Sequence, residues 1–277
     1  SLHDALPIYK TRSVKWNFIF MAESLDGYRE VAGNKRHGVG YRSARHFDVL
    51  NENIVFHWRD THFGYPANGA GSGNAGNRST VSTYNAYNDR RQAYEGVVLL
   101  NNLTSHDEVF PSNDTYALIQ AYAQLGALDG IPMLMYGQEA GAQNDFAAYG
   151  FSGITNSNRN WNRYESNFGK SIPNFKRWNA MTNVWANRDW TAQELYGRIN
   201  HARIANPALR GKGEYFLSRK GGLGIDNHIF AVAKFLEAGT PAASQNVVFC
   251  FVNTDYAASS NRTATFDVSA SIEGGAN

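Results

Sequence analysis

Hydrophobic residues in the first half of the chain form short runs that end at a polar or acidic position. Runs of this length, rich in branched and aromatic residues and bounded by turn residues, are typical of buried strands. They predict four strands, at residues 14–22, 46–51, 96–103 and 131–136. The first ends at Glu23, and the fourth leads into Gly-Gln-Glu at 137–139.

Two segments have the apolar spacing of a helix instead. The first spans residues 113–129 and is closed by Gly130, because apolar side chains recur there at every third or fourth position. Its apolar face is Leu118, Ala121, Tyr122, Leu125 and Leu128. The second begins at a predicted capping box, Thr191 with Glu194, and ends before Pro207. Its predicted face is Leu195, Ile199, Ala202 and Ala205.

From Gly213 onward, strand-like runs at 229–235 and 246–252 alternate with turn residues, which predicts a small antiparallel β domain. Strands separated by helices, followed by a β-rich tail, predict an α/β fold: a partial TIM (β/α)8 barrel and then an antiparallel β-sandwich. We place the boundary near Leu209, giving a barrel part at 9–209 and a truncated sandwich at 210–277.

The first eight residues have no initiator Met, basic segment or apolar core, and they resemble a sequencing-adapter read-through. We therefore expect residues 1–8 to be a non-native leader and the chain to be a fragment. Secreted and periplasmic locations of an intact parent both stay open.

Composition excludes several functional classes. The 277 residues contain 26 Lys and Arg against 24 Asp and Glu, without a block of like charge, which argues against nucleic-acid binding. No segment approaches the roughly 20 apolar residues of a membrane span. The single cysteine, Cys250, excludes a disulfide framework and a cysteine-ligated zinc site. Aromatic residues reach 13%, which suits stacking on sugars.

Acidic residues follow three of the four predicted strands: Glu23, Asp107 and Glu139. In an α/β barrel the carboxyl ends of the strands face one pocket, so these acids could act together on a substrate. Helix capping, or pairing with nearby arginines, explains single strand-end acids equally well. Spacing alone leaves both interpretations open.

Four segments together resemble the α-amylase family of retaining glycoside hydrolases (glycoside hydrolase family 13). They are Met-Ala-Glu-Ser-Leu-Asp-Gly at 21–27, Asn-Leu-Thr-Ser-His-Asp at 102–107, Gly-Ile-Pro-Met-Leu-Met-Tyr-Gly-Gln-Glu at 130–139, and Arg-Ile-Ala-Asn-Pro-Ala-Leu at 203–209. They stand in the family's order, as motifs of barrel strands five, seven and eight and of the last barrel helix. The resemblance implies action on α-glucosidic bonds of starch-like glucans, with an α-glucan or oligosaccharide as substrate.

The resemblance also implies roles for single residues. Glu23 matches the general acid/base, Asp107 the carboxylate that stabilises the transition state, and His106 a neighbouring sugar ligand. Ser105 stands where the family usually has Asn. Glu139 matches a position that the family does not use in the chemical step, so we expect a structural role for it.

The family's nucleophile is an Asp within Gly-x-Arg-x-Asp, one βα unit before the acid. No such pattern precedes Glu23, and the similar Gly-Tyr-Arg-Ser-Ala at 40–44 follows Glu23 and has Ala44 at the Asp position. We therefore expect the chain alone to be inactive. No metal site or cofactor is visible in the sequence, although the resemblance is compatible with calcium in an intact parent.

Two alternatives stay open. One is transfer of the glucosyl unit to an acceptor sugar instead of water. The other is a non-catalytic glucan-binding or transporter-associated barrel protein: the presence of both Glu23 and Asp107 argues against it, and the nucleophile that this sequence does not show keeps it open.

Overall fold

A parallel sheet of four strands forms the first part of the fold. The computed structural model of the chain describes residues 19–23, 48–51, 98–103, 115–134, 137–140, 188–237, 245–254 and 263–269. The strands are β1 (Met21–Glu23), β2 (Val49–Asn51), β3 (Val98–Asn102) and β4 (Ile131–Met133), hydrogen-bonded in the order β1-β2-β3-β4. All four fall within or at the ends of the predicted runs. The described residues form an open sheet, not a closed barrel, so the partial (β/α)8 barrel is not confirmed.

Helix α1 (Thr115–Ala127) connects β3 to β4 and matches the predicted helix in its described part. All five residues of the predicted apolar face are buried: Leu118, Ala121, Tyr122, Leu125 and Leu128. The chain then reverses at Gly130, which has φ of 103°. A Cβ atom there would lie 2.6 Å from the Leu99 carbonyl oxygen and 2.7 Å from Asn101 Nδ2, so only glycine fits this turn.

Alanine substitutions at Gly130 and at Gly197 should have effects of opposite sign. Gly130→Ala combines backbone strain with a collision against β3, and we expect it to lower the free energy of unfolding by about 2 kcal/mol or more. Gly197 lies in the second helix with no atom within 4 Å of an added Cβ, so Gly197→Ala should stabilise by up to about 1 kcal/mol. Urea unfolding followed by far-UV circular dichroism measures both. Equal effects of the two substitutions would contradict this account of the turn.

Helix α2 (Trp190–Ala205) begins two residues before the predicted start. The N-cap is Asp189, whose Oδ1 accepts a hydrogen bond from Ala192 N at 3.0 Å. The predicted capping box of Thr191 and Glu194 is therefore wrong. An Asp carboxylate is a stronger N-cap than a Thr hydroxyl, and Glu194 instead forms an exposed ion pair with Arg198 at 2.6 Å.

The buried face of α2 also differs from the prediction. Leu195 and Ile199 pack against the core as expected, but Ala202 and Ala205 are exposed. The fully buried positions are Ala192, Tyr196 and Arg203. The predicted stripe followed apolar residue types, whereas the observed one is centred on a tyrosine and an arginine whose polar ends are hydrogen-bonded.

Arg203 joins the end of α1 to the chain beyond α2. Its Nη1 donates to the carbonyl oxygens of Gly126 at 2.7 Å, Leu128 at 3.1 Å and Leu209 at 2.6 Å, and its Nη2 donates to that of Gly130. The last carbonyls of a helix have no partner within the helix, and a cation there is also favoured by the helix dipole. One guanidinium therefore closes α1 and holds the turn before β4.

The tail is antiparallel, as predicted. It contains β5 (Gly213–Phe216), β6 (Ser218–Arg219), β7 (Ile229–Phe235), β8 (Val248–Asn253) and β9 (Phe266–Asp267). One sheet has the order β5-β7-β8, and β6 pairs with β9. A sandwich is not confirmed by these strands.

A buried ion pair lies within the three-stranded sheet. Glu214 and Lys234 are paired residues of β5 and β7, and neither side chain has any exposed surface. Lys234 Nζ lies 3.1 Å from Glu214 Oε2 and donates to the Gly211 carbonyl oxygen at 2.9 Å. Burial of both charges is compensated by this mutual contact and the extra hydrogen bond.

One apolar core crosses the predicted boundary. Its buried cluster combines α1 and α2 residues with Phe230 and Val232 of β7. The boundary near Leu209 stays a prediction, but the tail packs directly on the helices. Neither described helix has the length and apolar character needed to cross a membrane.

Candidate active site

The carboxyl ends of the parallel strands define the edge at which the sequence places its catalytic acids. Met21 pairs with Val49, and Glu23 pairs with Asn51 one strand over. On the other side of the sheet, Asn102 pairs with Met133. Because the strands are parallel, the ends of all four lie along one edge. The main chain of Glu23 is therefore at that edge, beside the end of β2.

Asp48 fixes the register of β1 against β2. Its Oδ2 accepts a hydrogen bond from Phe20 N at 2.9 Å, and Phe20 O accepts from Asp48 N at 2.8 Å and from Val49 N at 3.1 Å. These bonds anchor the chain three residues before Glu23. Asp48 therefore holds the strand that carries the candidate acid.

Two buried amides end β3, and sequence reasoning assigned them no role. Asn101 and Asn102 are 1% and 0% exposed. Asn101 Nδ2 donates to the Asp129 carbonyl oxygen at 2.7 Å, while its Oδ1 has no hydrogen-bond partner in the described part of the chain. In the sequence, these two residues could be recognised as a pair of amides inside an otherwise apolar run. Asn101 attaches the end of β3 to the turn before β4.

His106 and Asp107 lie outside the described residues, as do Ser105, Ala44 and residues 1–8. Of Glu23 only the backbone position is described. The structure therefore brings the strand ends together, and the roles of Glu23, His106 and Asp107 stay predictions.

A polar network supports the turn that follows β4. The 3₁₀ turn Gln138–Ala140 contains Gln138, whose Nε2 donates to Tyr196 OH at 3.0 Å. Tyr122 OH donates to Asn200 Oδ1 at 2.8 Å, and the rings of the two tyrosines meet edge to face at 5.1 Å. This network links the turn to both helices.

Both phenols of this network are held in the neutral state. Burial raises the pKa of Tyr122 and of Tyr196, the hydrogen bonds that they form with Asn200 and Gln138 oppose that shift, and the nearby Glu139 carboxylate raises both further. Neutral phenols suit a structural role. Glu139 is half-buried, and its Oε2 has no hydrogen-bond partner among the residues that the structure describes. The structural role expected for Glu139 stays a prediction.

The described ranges contain no group of three or more His, Cys, Asp or Glu residues that could hold a metal ion. Calcium in an intact parent, with which the resemblance is compatible, stays a prediction.

Cys250 should be unreactive in the folded chain. It lies on β8 opposite Val232, where burial raises the thiol pKa to about 11 and the Lys234 ammonium only partly offsets this. Since the thiolate is the reacting species, little of it exists at pH 8, and reactivity should rise as the pH approaches 11. Ellman's reagent at pH 8 should therefore label Cys250 slowly in buffer and rapidly in urea. Rapid labelling in buffer would contradict the burial of this thiol.

Solved structures with a similar fold include an α-amylase and a cyclomaltodextrin glucanotransferase. The chain superposes on a noncanonic maltogenic α-amylase, AmyB from Thermotoga neapolitana, with a TM-score of 0.55 and 14% identity, covering 95% of this chain and 48% of that one. The likeness is one of fold. CldA, a cyclomaltodextrin glucanotransferase, superposes with a TM-score of 0.55 and 18% identity, and the match covers 91% of this chain and 42% of CldA. A variant of AmyP in complex with maltotriose superposes with a TM-score of 0.51 and 13% identity, and the match covers 84% of this chain and 45% of AmyP.

The chain thus spans about half the length of these structures. No protein-family model matches the sequence, and no curated protein matches it either.

Proposed function

We propose that the chain is the C-terminal part of a retaining glycoside hydrolase that cleaves α-glucosidic bonds of starch-like glucans. In this proposal, residues 9–209 supply strands five to eight of a (β/α)8 barrel and residues 210–277 begin a β-sandwich. The observation that carries it is the parallel sheet: β1 to β4 follow one another in order and end at one edge. The fold likeness to α-amylases and the order of the sequence motifs support it.

The proposed chemistry divides between two carboxyl groups. Glycosidic cleavage passes through an oxocarbenium-like state and needs a proton on the leaving oxygen. Glu23, at the end of β1, donates that proton and later activates water. Asp107 stays ionised and stabilises the developing positive charge, while His106 hydrogen-bonds a sugar hydroxyl. Asp107 comes five residues after Asn102, so the chain leaves β3 at the same edge at which β1 ends.

Retention of configuration requires a third group. A carboxylate nucleophile must lie about 5–5.5 Å from the acid. No Gly-x-Arg-x-Asp pattern precedes Glu23 in this sequence. We therefore propose that the nucleophile belongs to a preceding segment of an intact parent, and that the 277-residue chain alone does not turn over glucan.

The test begins with the coding sequence upstream of Tyr9. A Gly-x-Arg-x-Asp segment roughly 30 residues before Glu23 is the expected result, and the extended protein should release α-configured product from soluble starch. In that protein Glu23→Gln and Asp107→Asn should each lower kcat by about a hundredfold or more. Glu237→Gln, an exposed acid of the tail, is the matched control and should leave kcat unchanged.

Three results would contradict the proposal. Another residue at the Asp position would favour the non-catalytic glucan-binding protein. Product of inverted configuration would exclude the retaining mechanism. Full activity of Glu23→Gln would remove Glu23 from the acid role. Preferential formation of longer oligosaccharides would instead indicate glucosyl transfer, using the same acid/base.

A further inference from the structure

The first residue of α2 is an exposed tryptophan. Trp190 is 66% exposed, whereas Tyr196, two turns further along the helix, is 1% exposed. A large indole in water loses the stabilisation that burial of its apolar surface would give. Single exposed aromatics are common on protein surfaces, so exposure alone indicates nothing. Two further contacts, one made by Trp190 and one by its neighbour Asp189, distinguish this position.

The first contact is with Arg188. The guanidinium carbon of Arg188 lies 3.5 Å from the centroid of the Trp190 ring, within the range of a cation–π interaction. Stacking of this kind holds the indole in one orientation and covers one of its faces. Since the residue remains two-thirds exposed, the opposite face is open to solvent as a flat apolar surface.

The second contact sets the position of the indole. Asp189 N donates to the Ala140 carbonyl oxygen at 3.1 Å, and Asp189 Oδ1 caps the helix at Ala192 N. Ala140 belongs to the 3₁₀ turn that follows β4, whose carboxyl end lies along the edge that carries Glu23. Trp190 is therefore attached, through the adjacent residue, to the rim of the candidate active site.

We propose that Trp190, backed by Arg188, is a stacking platform for a glucose ring of an α-glucan chain that extends from the candidate active site. The apolar C–H face of a pyranose packs on an indole, while its hydroxyls remain free to bond to polar groups and water. An indole ordered by Arg188 before binding loses little side-chain entropy when the sugar arrives. This inference rests on the proposed function, because the active-site edge supplies the reason for a glucan at this position.

Isothermal titration calorimetry of the full 277-residue chain with maltoheptaose tests the platform. Trp190→Ala should weaken binding by about fivefold or more, and Trp190→Phe should retain most of the affinity because a ring remains. The matched control is Ile204→Ala. Ile204 lies on the same helix and is 69% exposed, but far along it from Arg188, so binding should be unchanged. Urea unfolding verifies that each variant folds.

The outcomes separate this inference from the proposed function. Wild-type affinity of Trp190→Ala, together with weakened binding by Asp107→Asn, would overturn the platform and leave the proposed function standing. Equal losses at Trp190 and Ile204 would also overturn it. A chain that binds no maltoheptaose would overturn the platform, because Trp190 and Arg188 are both present in it, whereas the proposed function is tested separately by the starch assay of the extended protein. Cellohexaose that binds as tightly, with the same dependence on Trp190, would overturn the assignment to α-glucans.

Discussion

Replacing Arg203 by methionine is expected to destabilise the chain by about 3 kcal/mol or more. The side chain is 8% exposed and donates to four carbonyl oxygens, those of Gly126, Leu128, Gly130 and Leu209. Hydrogen bonds to charged groups contribute about 1.5–3 kcal/mol each, and the carbonyls left behind would stay buried without a donor. Methionine replaces the apolar stem of the arginine side chain and lacks its guanidinium, so most of the loss would come from the hydrogen bonds and little from packing of the stem.

The measurement is the urea midpoint followed by circular dichroism, with Arg198→Met as control. Arg198 lies on the same helix, but its side chain is 73% exposed and, among the residues that the structure describes, it pairs with Glu194 one turn away. An exposed pair of this kind contributes at most about 0.5 kcal/mol. Arg203→Lys should rescue only part of the loss, because an ammonium cannot reproduce the planar fork. Similar effects of the two methionine substitutions would show that the four carbonyls do not depend on Arg203.

Lys234→Met is the second change for which we expect a large effect, about 3–5 kcal/mol. It removes the ammonium from Glu214 and from the Gly211 carbonyl oxygen, and Glu214 remains 2% exposed within the sheet. A buried carboxylate without its counter-charge is far more costly than an apolar residue at the same place. The cost therefore lies in the charge that is left, not in the net stability of the pair.

A double substitution checks this reasoning. Glu214→Leu with Lys234→Met removes both charges and should recover most of the stability lost in the single variant, since buried ion pairs contribute little relative to apolar replacements. Lys220→Met, at an exposed position of the same tail, should change the unfolding free energy by less than about 0.5 kcal/mol. A double variant as unstable as Lys234→Met alone would show that packing dominates instead.

Periodicity was sufficient to predict where both helices and the four strands of the parallel sheet lie along the chain. The α1 face and the run that becomes β7 match the structure closely. Helix ends were less predictable. Asp189 and Thr191 are both acceptable N-caps by residue type. The helix begins after Asp189, whose own N–H donates a hydrogen bond to Ala140 O.

Buried polar side chains could not be located by pattern alone. Arg203 and Lys234 read as surface residues by type, and each is buried because distant carbonyls or carboxylates meet it in the folded chain. Asn101 is similar, since its partner at Asp129 is brought close only by the turn at Gly130. Such contacts depend on strand register and helix packing, which one sequence does not display.

The sequence likewise predicts one part of the candidate site and not another. Strand ends and their common edge follow from the alternation of strands and helices, and the sheet confirms the order of β1 to β4. The separation of the two acids depends on loops after the strands, whose course is not encoded by local spacing. The assignment of Glu23 and Asp107 therefore still depends on the resemblance.

Continuity of the core from α1 to β7 has a consequence for how such chains can be recombined. Phe230 and Val232 pack into the cluster formed by the two helices, and Leu209 accepts a hydrogen bond from Arg203. A crossover near Leu209 that joined the preceding segment of this chain to the tail of another protein would replace the residues on one side of a shared core. Chimaeras with a junction before β3, which inherit Leu103, both helices and the tail from one parent, should keep that interior matched.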